Sequence, residues 1–377
     1  METEEKKPTV AARLKAYLKA LPKRYFITAF SGMAQGLFVT LIAGTILGQI
    51  AGWINKIGDG NYVGDTLTYI ANIAKSLMGA GIGVGIAYAL GKNKLLVFSA
   101  AVAGMVGAFA DKLMVGADVP FTSLGLGAPG NPIGAYVTTM LVVEIVGLYA
   151  GKTKLDILLV PLGTLLLAFS GVFVSYPFVW LVNELGDLIA IATDITPFLM
   201  GIIIAVVMGI LLTMPTSSAA IWISVASTVT ATNVEAMLIA GGAATVGCAC
   251  HMVGFAVASF RENGFGGLIA QGVGTSMLQI PNIMKKPVIM LPMIISSAIC
   301  GPLSTCVFKI QCGASGGGMG TSGFVGVFNS FEYTSGALGA VGIILLMFVL
   351  PALLNFVISE FMRKKNWIKA GDMKLPE

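Results

Sequence analysis

Long apolar runs alternate with short polar or basic turns along most of this chain. Several of these runs exceed the roughly 20 apolar residues that a helix needs to cross a bilayer. A transmembrane β-barrel would instead show short segments of alternating hydrophobicity, and the sequence does not have that pattern. The pattern therefore predicts an all-α, polytopic transmembrane protein with about ten spans and with re-entrant or broken elements.

The same pattern divides the chain into three parts. Residues 1–25 are predicted to form a cytoplasmic amphipathic arm, because apolar side chains recur at helical spacing opposite Arg13, Lys15 and Lys19. Such a helix suits an anionic membrane surface, and a merely solvated arm is the alternative. Residues 26–362 are the predicted transmembrane domain, and residues 363–377 are a basic cytoplasmic tail.

Basic turns indicate the orientation of the chain in a cell (plasma) membrane. Gly91–Lys94, Gly151–Lys154, Lys285–Lys286 and Arg363–Lys365 are rich in lysine or arginine, which favours the cytoplasmic side. Both termini are therefore predicted to be cytoplasmic. Five spans in each half would give the halves opposite orientations, as in an inverted repeat. Whether Gly264–Ile280 is a short span or an interfacial helix stays open.

Composition supports a membrane protein and excludes several other classes. Hydrophobic residues make up 56% of the chain and charged residues only 11%, with a mean hydropathy of +0.88. The net charge of +5 does not indicate nucleic-acid binding, because the basic residues cluster in turns and termini. All five cysteines lie in apolar or glycine-rich surroundings, which is typical of small buried side chains and not of a disulfide framework.

One glycine-rich segment interrupts the apolar pattern near the C-terminus. Cys312–Phe328, here called the Gly-rich segment, has no charge and few large side chains. Irregular backbone at membrane depth must be buried in protein or line a wet cavity. Gly318–Gly323 matches the dinucleotide fingerprint G-x-G-x-x-G, but that motif requires a βαβ unit, which an all-α chain lacks. A neutral hydrogen-bonding surface for a polyhydroxylated or weakly anionic solute is the functional interpretation, and a packing loop is the alternative.

Two breaks in apolar stretches also point to a binding site. Met214–Ser218 and Gly301–Thr305 each place a proline beside hydroxyl side chains. Broken helices that face each other mark the substrate site in many transporters, whereas proline kinks satisfied by Ser and Thr are the alternative. A third region rich in Gly and Pro, residues 118–132, is interpreted as a re-entrant segment, and it contains Asn131.

Ionisable residues within apolar stretches are functional candidates by default. Lys309 lies between Phe308 and Ile310, so it is expected to face a partner, a solute or water, with snorkelling to an interface as the alternative. His251 is the only histidine, and either a role in proton or solute binding or a structural role fits it. Glu144 and Glu235 are further acidic candidates. Cys248, Cys250 and His251 are too few and too closely spaced for a zinc site, so no metal is predicted.

The sequence carries no Walker motif and no soluble domain long enough for chemistry of its own. No catalytic residue and no cofactor is therefore assigned, and enzymatic activity is left undecided. Energy for transport would have to come from an ion gradient or from a separate protein.

Five motifs carry a resemblance to a known family. They are Phe30–Phe38, Gly44–Gly48, Met214–Ala219, Gly301–Thr305 with Val307-Phe308-Lys309, and Met319–Gly323. Together they resemble the enzyme IIC membrane component of the sugar phosphotransferase system. More narrowly, they resemble the divergent branch of that family that includes perfringolysin-regulator-like membrane proteins. The resemblance covers about Phe26 to Phe361.

Membership would imply a homodimer whose broken elements cradle a sugar. A separate IIB protein would then phosphorylate that sugar from the cytoplasm. The sequence contains no IIA or IIB domain. It also lacks the Glu-centred motif with which better-known IIC proteins hold sugar hydroxyls, so the resemblance predicts transport more directly than phosphotransfer.

Three hypotheses follow. The first is a IIC-type permease for a small polar solute, a sugar or sugar-like compound, working by alternating access. The second is an ion-coupled metabolite carrier without phosphorylation, and the third is a membrane sensor or regulator on a transporter fold. The residues expected to bind the solute are Asn131, Ser217, Ser218, His251, Ser304, Thr305, Lys309, Gln311, Gly320, Thr321 and Ser322.

Overall fold

The computed structural model describes residues 21–55, 62–114, 130–214, 218–226 and 233–375. These residues form helices and turns without a strand, which confirms the all-α prediction. The helices are α1 Leu21–Gly52, α2 Tyr62–Ser76, α3 Met78–Ala89, α4 Lys94–Ala108, α5 Ala110–Met114, α6 Pro132–Val146, α7 Asp156–Ile195, α8 Pro197–Thr213, α9 Ser218–Ala226, α10 Val234–Ala258, α11 Phe260–Ile269, α12 Ile280–Lys285, α13 Pro287–Val307, α14 Val325–Tyr333 and α15 Gly336–Lys364.

Within the described ranges, five helices are long and apolar enough to cross a membrane, namely α1, α7, α10, α13 and α15. The pair α2 and α3, bent by 51°, would make a sixth span. Shorter apolar helices, α4, α6 and α8, pack between them. A polytopic helical membrane protein is therefore confirmed, while the expected number of ten spans is not.

The lower number arises because α4, α6 and α8 have only 15, 15 and 17 residues. Helix α7, with 40 residues, is instead longer than one span needs, and it runs through the acidic residues Glu184, Asp187 and Asp194. Acidic residues do not break a helix as consecutive glycines or prolines do. The helix therefore continues to Ile195 and ends just before Pro197, the first residue of α8.

Glycines set the packing of α1, α3, α4 and α6. A Cβ atom added to Gly32 would lie 2.4 Å from the main-chain oxygen of Gly85. A Cβ added to Gly104 would lie 2.1 Å from the oxygen of Gly79, and one added to Gly107 would lie 2.3 Å from that of Gly134. Helices can approach this closely only where side chains are absent. These four helices therefore share direct main-chain contacts.

The chain between α10 and α13 is broken repeatedly. Gly264 has φ 58° and ψ −157°, which kinks α11. A π-helical turn, Ala270–Gly274, and a 3₁₀ turn, Ser276–Gln279, follow before the short helix α12. Residues 264–286, here called the wall segment, are thus no continuous span. After α15 the chain folds back, and residues 366–375, here called the docked tail, pack against the wall segment.

The second proline break occurs as predicted from the sequence. Pro302 lies inside α13, whose last turn, Leu303–Val307, is π-helical. The chain then leaves helical geometry until Ser322. Three predicted features lie outside the described residues, namely most of the amphipathic arm, residues 118–129 of the re-entrant segment, and the Pro215–Ser217 part of the first break.

Candidate functional site

A cavity of about 660 Å³ is lined by the Gly-rich segment and by parts of α1, α8, α9 and the wall segment. One wall is α1 and another is the start of α9, while the wall segment faces the Gly-rich segment. The polar lining residues are Ser31, Gln35, Ser218, Thr275 and Ser322, and apolar lining residues include Phe38, Leu212, Met277 and Met319. The volume is in the range of small-molecule sites.

The Gly-rich segment is held by hydrogen bonds from other elements. The main-chain N–H of Cys312 donates to the Leu238 oxygen at 2.9 Å, and the N–H of Gly313 donates to Asn329 Oδ1 at 2.8 Å. Ser218 Oγ donates to the Gly318 oxygen at 2.7 Å. These three main-chain groups are thus satisfied without secondary structure, as irregular backbone at membrane depth requires.

Two hydroxyls join the Gly-rich segment to the wall segment. Thr321 Oγ1 donates to the Gly272 oxygen at 2.6 Å, and Ser322 Oγ donates to the Gly274 oxygen at 2.9 Å. Gly320, next to them, has φ +55°, and a Cβ there would lie 2.8 Å from the Ala249 nitrogen. Only glycine combines that backbone conformation with so close an approach to α10.

The cavity is neutral. Its lining includes hydroxyls, one carboxamide and apolar side chains, and none of the lining residues is ionisable. Across the described ranges, no group of three or more His, Cys, Asp or Glu side chains could hold a metal ion. The arrangement can therefore form hydrogen bonds to an uncharged polar solute without ion pairing.

The family comparison agrees with this geometry. Residues 27–375 match the family model described as Phosphotransferase system, EIIC. The chain belongs to this family. Neither the curated proteins nor the solved structures searched give a match to the chain.

Membership in the EIIC family gives the protein its general role. It is a multi-pass plasma-membrane protein and a permease component of the sugar phosphotransferase system. The family implies a sugar substrate and cooperation with other components of the system, such as EIIB.

Of the residues predicted for the site of this EIIC protein, Ser218 and Ser322 line the cavity. Gly320 and Thr321 directly precede Ser322, and Thr321 bonds to the wall segment. Ser217 lies outside the described residues.

His251 lies behind the cavity on α10 and is completely buried. Its Nδ1 is 2.9 Å from Thr213 Oγ1, which is in turn 3.0 Å from Ser276 Oγ. Ser276 follows the lining residue Thr275, so two hydroxyls separate the imidazole from the cavity wall. Within the described part of the chain, His251 Nε2 has no hydrogen-bond partner.

The remaining predicted residues lie elsewhere in the structure. Asn131 begins α6, where its Oδ1 accepts from the N–H groups of Ile133 and Gly134. Thr305 Oγ1 donates to the Pro197 oxygen at 2.7 Å, and Ser304 is buried beside it. None of these three predicted residues lines the cavity.

Lys309 and Gln311 follow the second break, also away from the cavity. Lys309 is exposed and has φ +46°. The main chain of Gln311 exchanges hydrogen bonds with Thr334 Oγ1 at 2.9 and 3.0 Å. A direct role of these residues in solute binding stays a prediction.

The acidic candidates also have local partners. Glu144 Oε1 accepts from Arg24 Nε at 2.7 Å, and Glu144 Oε2 is 4.0 Å from Lys92 Nζ. Burial lowers the pKa of Lys92, which Glu144 partly opposes and Arg24 reinforces. Glu235 lies in the first turn of α10, where a carboxylate stabilises the helix.

Ser31, Gln35 and Thr275 line the cavity but were not predicted as site residues. Ser31 and Gln35 are four positions apart in an apolar helix, so they share one face. Both belong to the family motif Phe30–Phe38. Their four-residue spacing in an apolar helix was the signal that could have identified them as site residues. Thr275 is extended, with φ −161°, and its Oγ1 accepts from the Met277 N–H. No local pattern identifies such a residue before the fold is known.

Proposed function

We propose that this EIIC protein binds a sugar or sugar-like compound in the 660 Å³ cavity and moves it across the membrane by alternating access. The supporting observation is a neutral cavity in which hydroxyls and one carboxamide from four separate parts of the chain converge. Sugars present several hydroxyls around apolar C–H faces, and this lining has groups for both.

The hydrogen-bond roles of the lining are defined by the bonds already made. The hydroxyl protons of Ser218 and Ser322 are donated to main-chain oxygens, so these two oxygens accept from solute hydroxyls. Thr275 Oγ1 accepts from the protein, so its proton is available to donate. Gln35 offers both a donor and an acceptor. Phe38 and Met277 provide apolar surface for the C–H faces.

The walls also differ in how they are attached. The α1 wall belongs to the group of helices with direct main-chain contacts, whereas the wall segment is joined to the Gly-rich segment through the hydroxyls of Thr321 and Ser322. Alternating access then consists of movement of the wall segment against a fixed α1. A homodimer with both termini in the cytoplasm, served by a separate EIIB protein, completes the proposal.

The experiment is sugar binding by purified protein, measured calorimetrically with a panel of unmodified mono- and disaccharides. Gln35→Leu is expected to weaken binding of the sugar that the wild type selects by about tenfold, because a lost hydrogen bond costs about 0.5–1.5 kcal/mol. Thr45→Ala is the matched control, since Thr45 lies on α1 outside the cavity lining and its hydroxyl donates to the Leu41 oxygen of its own helix. Equal affinities in all three proteins would contradict the proposed site.

A second candidate is favoured by the buried chain from His251 through Thr213 to Ser276. A histidine linked to the cavity by hydroxyls provides a route for a proton, as an ion-coupled carrier needs. Uptake into liposomes in response to a pH gradient, without a phosphoryl donor and abolished by His251→Ala, would support this candidate. Binding without any uptake would instead support the sensor hypothesis.

A further inference from the structure

The docked tail is bound through its main chain. Asn263 Nδ2 donates to the Met373 oxygen at 2.9 Å, and Asn263 Oδ1 accepts from the Leu375 N–H at 2.8 Å. Gln279 Nε2 also donates to the Met373 oxygen, and Asn282 Nδ2 donates to the Lys374 oxygen, both at 2.9 Å. Three carboxamides of the chain around the wall segment therefore hold consecutive peptide groups of the tail.

Charged groups strengthen the same contact. Lys286 Nζ lies 2.6 Å from Asp372 Oδ2. Glu262 accepts from the Met373 N–H at 2.8 Å through one oxygen and from Arg363 at 2.8 Å through the other. The side chain of Met373 is completely buried. The tail is thus a specifically docked element and not a solvated extension.

The residues that bind the docked tail and the residues that line the cavity belong to one short stretch of the wall segment. Gln279 Nε2 donates to Gln271 Oε1 at 2.8 Å, and Asn282 Nδ2 donates to Gln279 Oε1 at 2.8 Å, which links the carboxamides into a row. Between Gln271 and Gln279 lie the lining residues Thr275 and Met277. The tail therefore binds residues that immediately flank the cavity wall.

This stretch begins and ends at residues whose backbone conformation is not helical. Gly264 has φ 58° at one end, and Lys286 has φ −148° and ψ 82° at the other. Hinges are a few positions outside regular structure that absorb changes in φ and ψ. Thr321 and Ser322 of the Gly-rich segment bond to this stretch, Ser276 bonds to Thr213, and Gln271 donates to Ser259. The tail adds the bonds of Gln279, Asn282 and Lys286, so it supplies a large share of the described polar contacts that fix this wall.

We propose that the docked tail is a latch: it holds the wall segment against the cavity, and its release lets the wall segment move and opens the cavity. The inference rests on the proposed function of the cavity as the solute site. Because the contacts are hydrogen bonds and ion pairs, water or a cytoplasmic partner can replace them.

The test measures access to the cavity without any solute. Ala34, a lining residue of α1, is replaced by cysteine in a Cys306→Ser background, because Cys306 is exposed and the other four cysteines are buried. The rate of modification by a membrane-impermeant thiol reagent is followed in vesicles of each orientation. Lys286→Asp and Asp372→Lys, each alone, are expected to raise the rate about fivefold or more from one side, and the double variant is expected to restore the original rate.

Arg261→Ala is the matched control. Its ion pair with Glu360, at 3.0 Å, joins α11 to α15 near the tail but does not involve it, so the rate should stay unchanged. Unchanged rates in both single variants, or no restoration in the double variant, would overturn the latch. Since the readout needs no sugar, failure of sugar binding would contradict the proposed function and leave the latch testable on its own.

Discussion

Two glycine-rich stretches of this chain do different things. In α3, glycine occupies every second position from Gly79 to Gly85 and the helix is retained. A Cβ at Gly81 or Gly85 would meet α1, whereas one at Gly79 or Gly83 would meet α4. In the Gly-rich segment the glycines interrupt helical structure, and side chains such as Asn329 and Ser218 bond to the main chain.

The difference shows that spacing and neighbours decide what glycine does in an apolar chain. Glycines four positions apart lie on one face of a helix and leave that face open for close packing. Consecutive glycines after a proline-broken helix leave the main chain without helical partners, so other elements must supply them. The first arrangement joins α1, α3, α4 and α6 into a closely packed group, here called the frame. The second gives a cavity wall that can form hydrogen bonds.

The largest effect is expected when the frame is broken. Gly85→Ala would place a Cβ 2.1 Å from the Gly32 oxygen, so the helices must separate, at a cost of about 1–3 kcal/mol or more. Thermal unfolding in detergent should show a clearly lower midpoint. Gly52→Ala in α1 is the control, because nothing lies within 4 Å of the added atom. A similar midpoint for both variants would show that the α1–α3 contact is not as close as described.

A smaller effect is expected at two left-handed positions of the Gly-rich segment. Gly320 and Gly323 have φ +55° and +52°, so alanine at either costs about 1 kcal/mol or more in backbone strain. Only Gly320→Ala also clashes, at 2.8 Å from the main chain of α10, whereas at Gly323 the nearest atom is 3.8 Å away. Gly320→Ala should therefore unfold at lower temperature and bind sugar more weakly than Gly323→Ala. The reverse order would refute the wall geometry.

The next largest effect is expected from the loss of one hydroxyl that joins the Gly-rich segment to the wall segment. Thr321→Val removes the donor to the Gly272 oxygen at a similar side-chain volume, with an expected loss of about 0.5–1.5 kcal/mol. Chemical denaturation measures this difference. Thr321→Ser retains the hydroxyl and should remain closer to the wild type. If valine and serine behave alike, packing rather than the hydrogen bond matters at this position.

The mildest effect is expected from acid. Burial alone would raise the pKa of the Asp372 carboxyl, but hydrogen bonds from Lys286 and from the Lys369 main chain hold it below its ordinary 3.8. The carboxylate therefore stabilises the docked tail fully above pH 3.8, and this contribution disappears as pH falls through the lowered pKa. Amide hydrogen exchange of residues 366–375, corrected for intrinsic rates, should accelerate there. Asp372→Asn should remove that pH dependence.

Local patterns predicted the parts of the structure that depend on neighbouring residues. Apolar runs predicted the helices, and Pro302 predicted the break in α13. The number of spans is not confirmed, because the apolar runs at α4, α6 and α8 form helices of only 15, 15 and 17 residues. Asn131 caps α6 through its side chain, and its role in solute binding stays a prediction.

Contacts between distant parts of the chain could not be predicted in this way. Asn282 bonds to Lys374 across 92 positions, and Asn263 bonds to Met373 across 110. An amide side chain has no partner preference that sequence spacing reveals, because asparagine and glutamine bond equally well to any peptide group. The docked tail and the exposure of Lys309 therefore follow only from the folded structure.

The main-chain contacts among α1, α3, α4 and α6 have a practical consequence for measuring motion. Where a carbonyl oxygen meets a glycine, no side chain can change rotamer to absorb a displacement. These helices should consequently move as one body and provide an internal reference frame. A pair of spectroscopic labels, one on the outer face of α4 and one beside Met277, would therefore record the displacement of the wall segment as a change in a single distance.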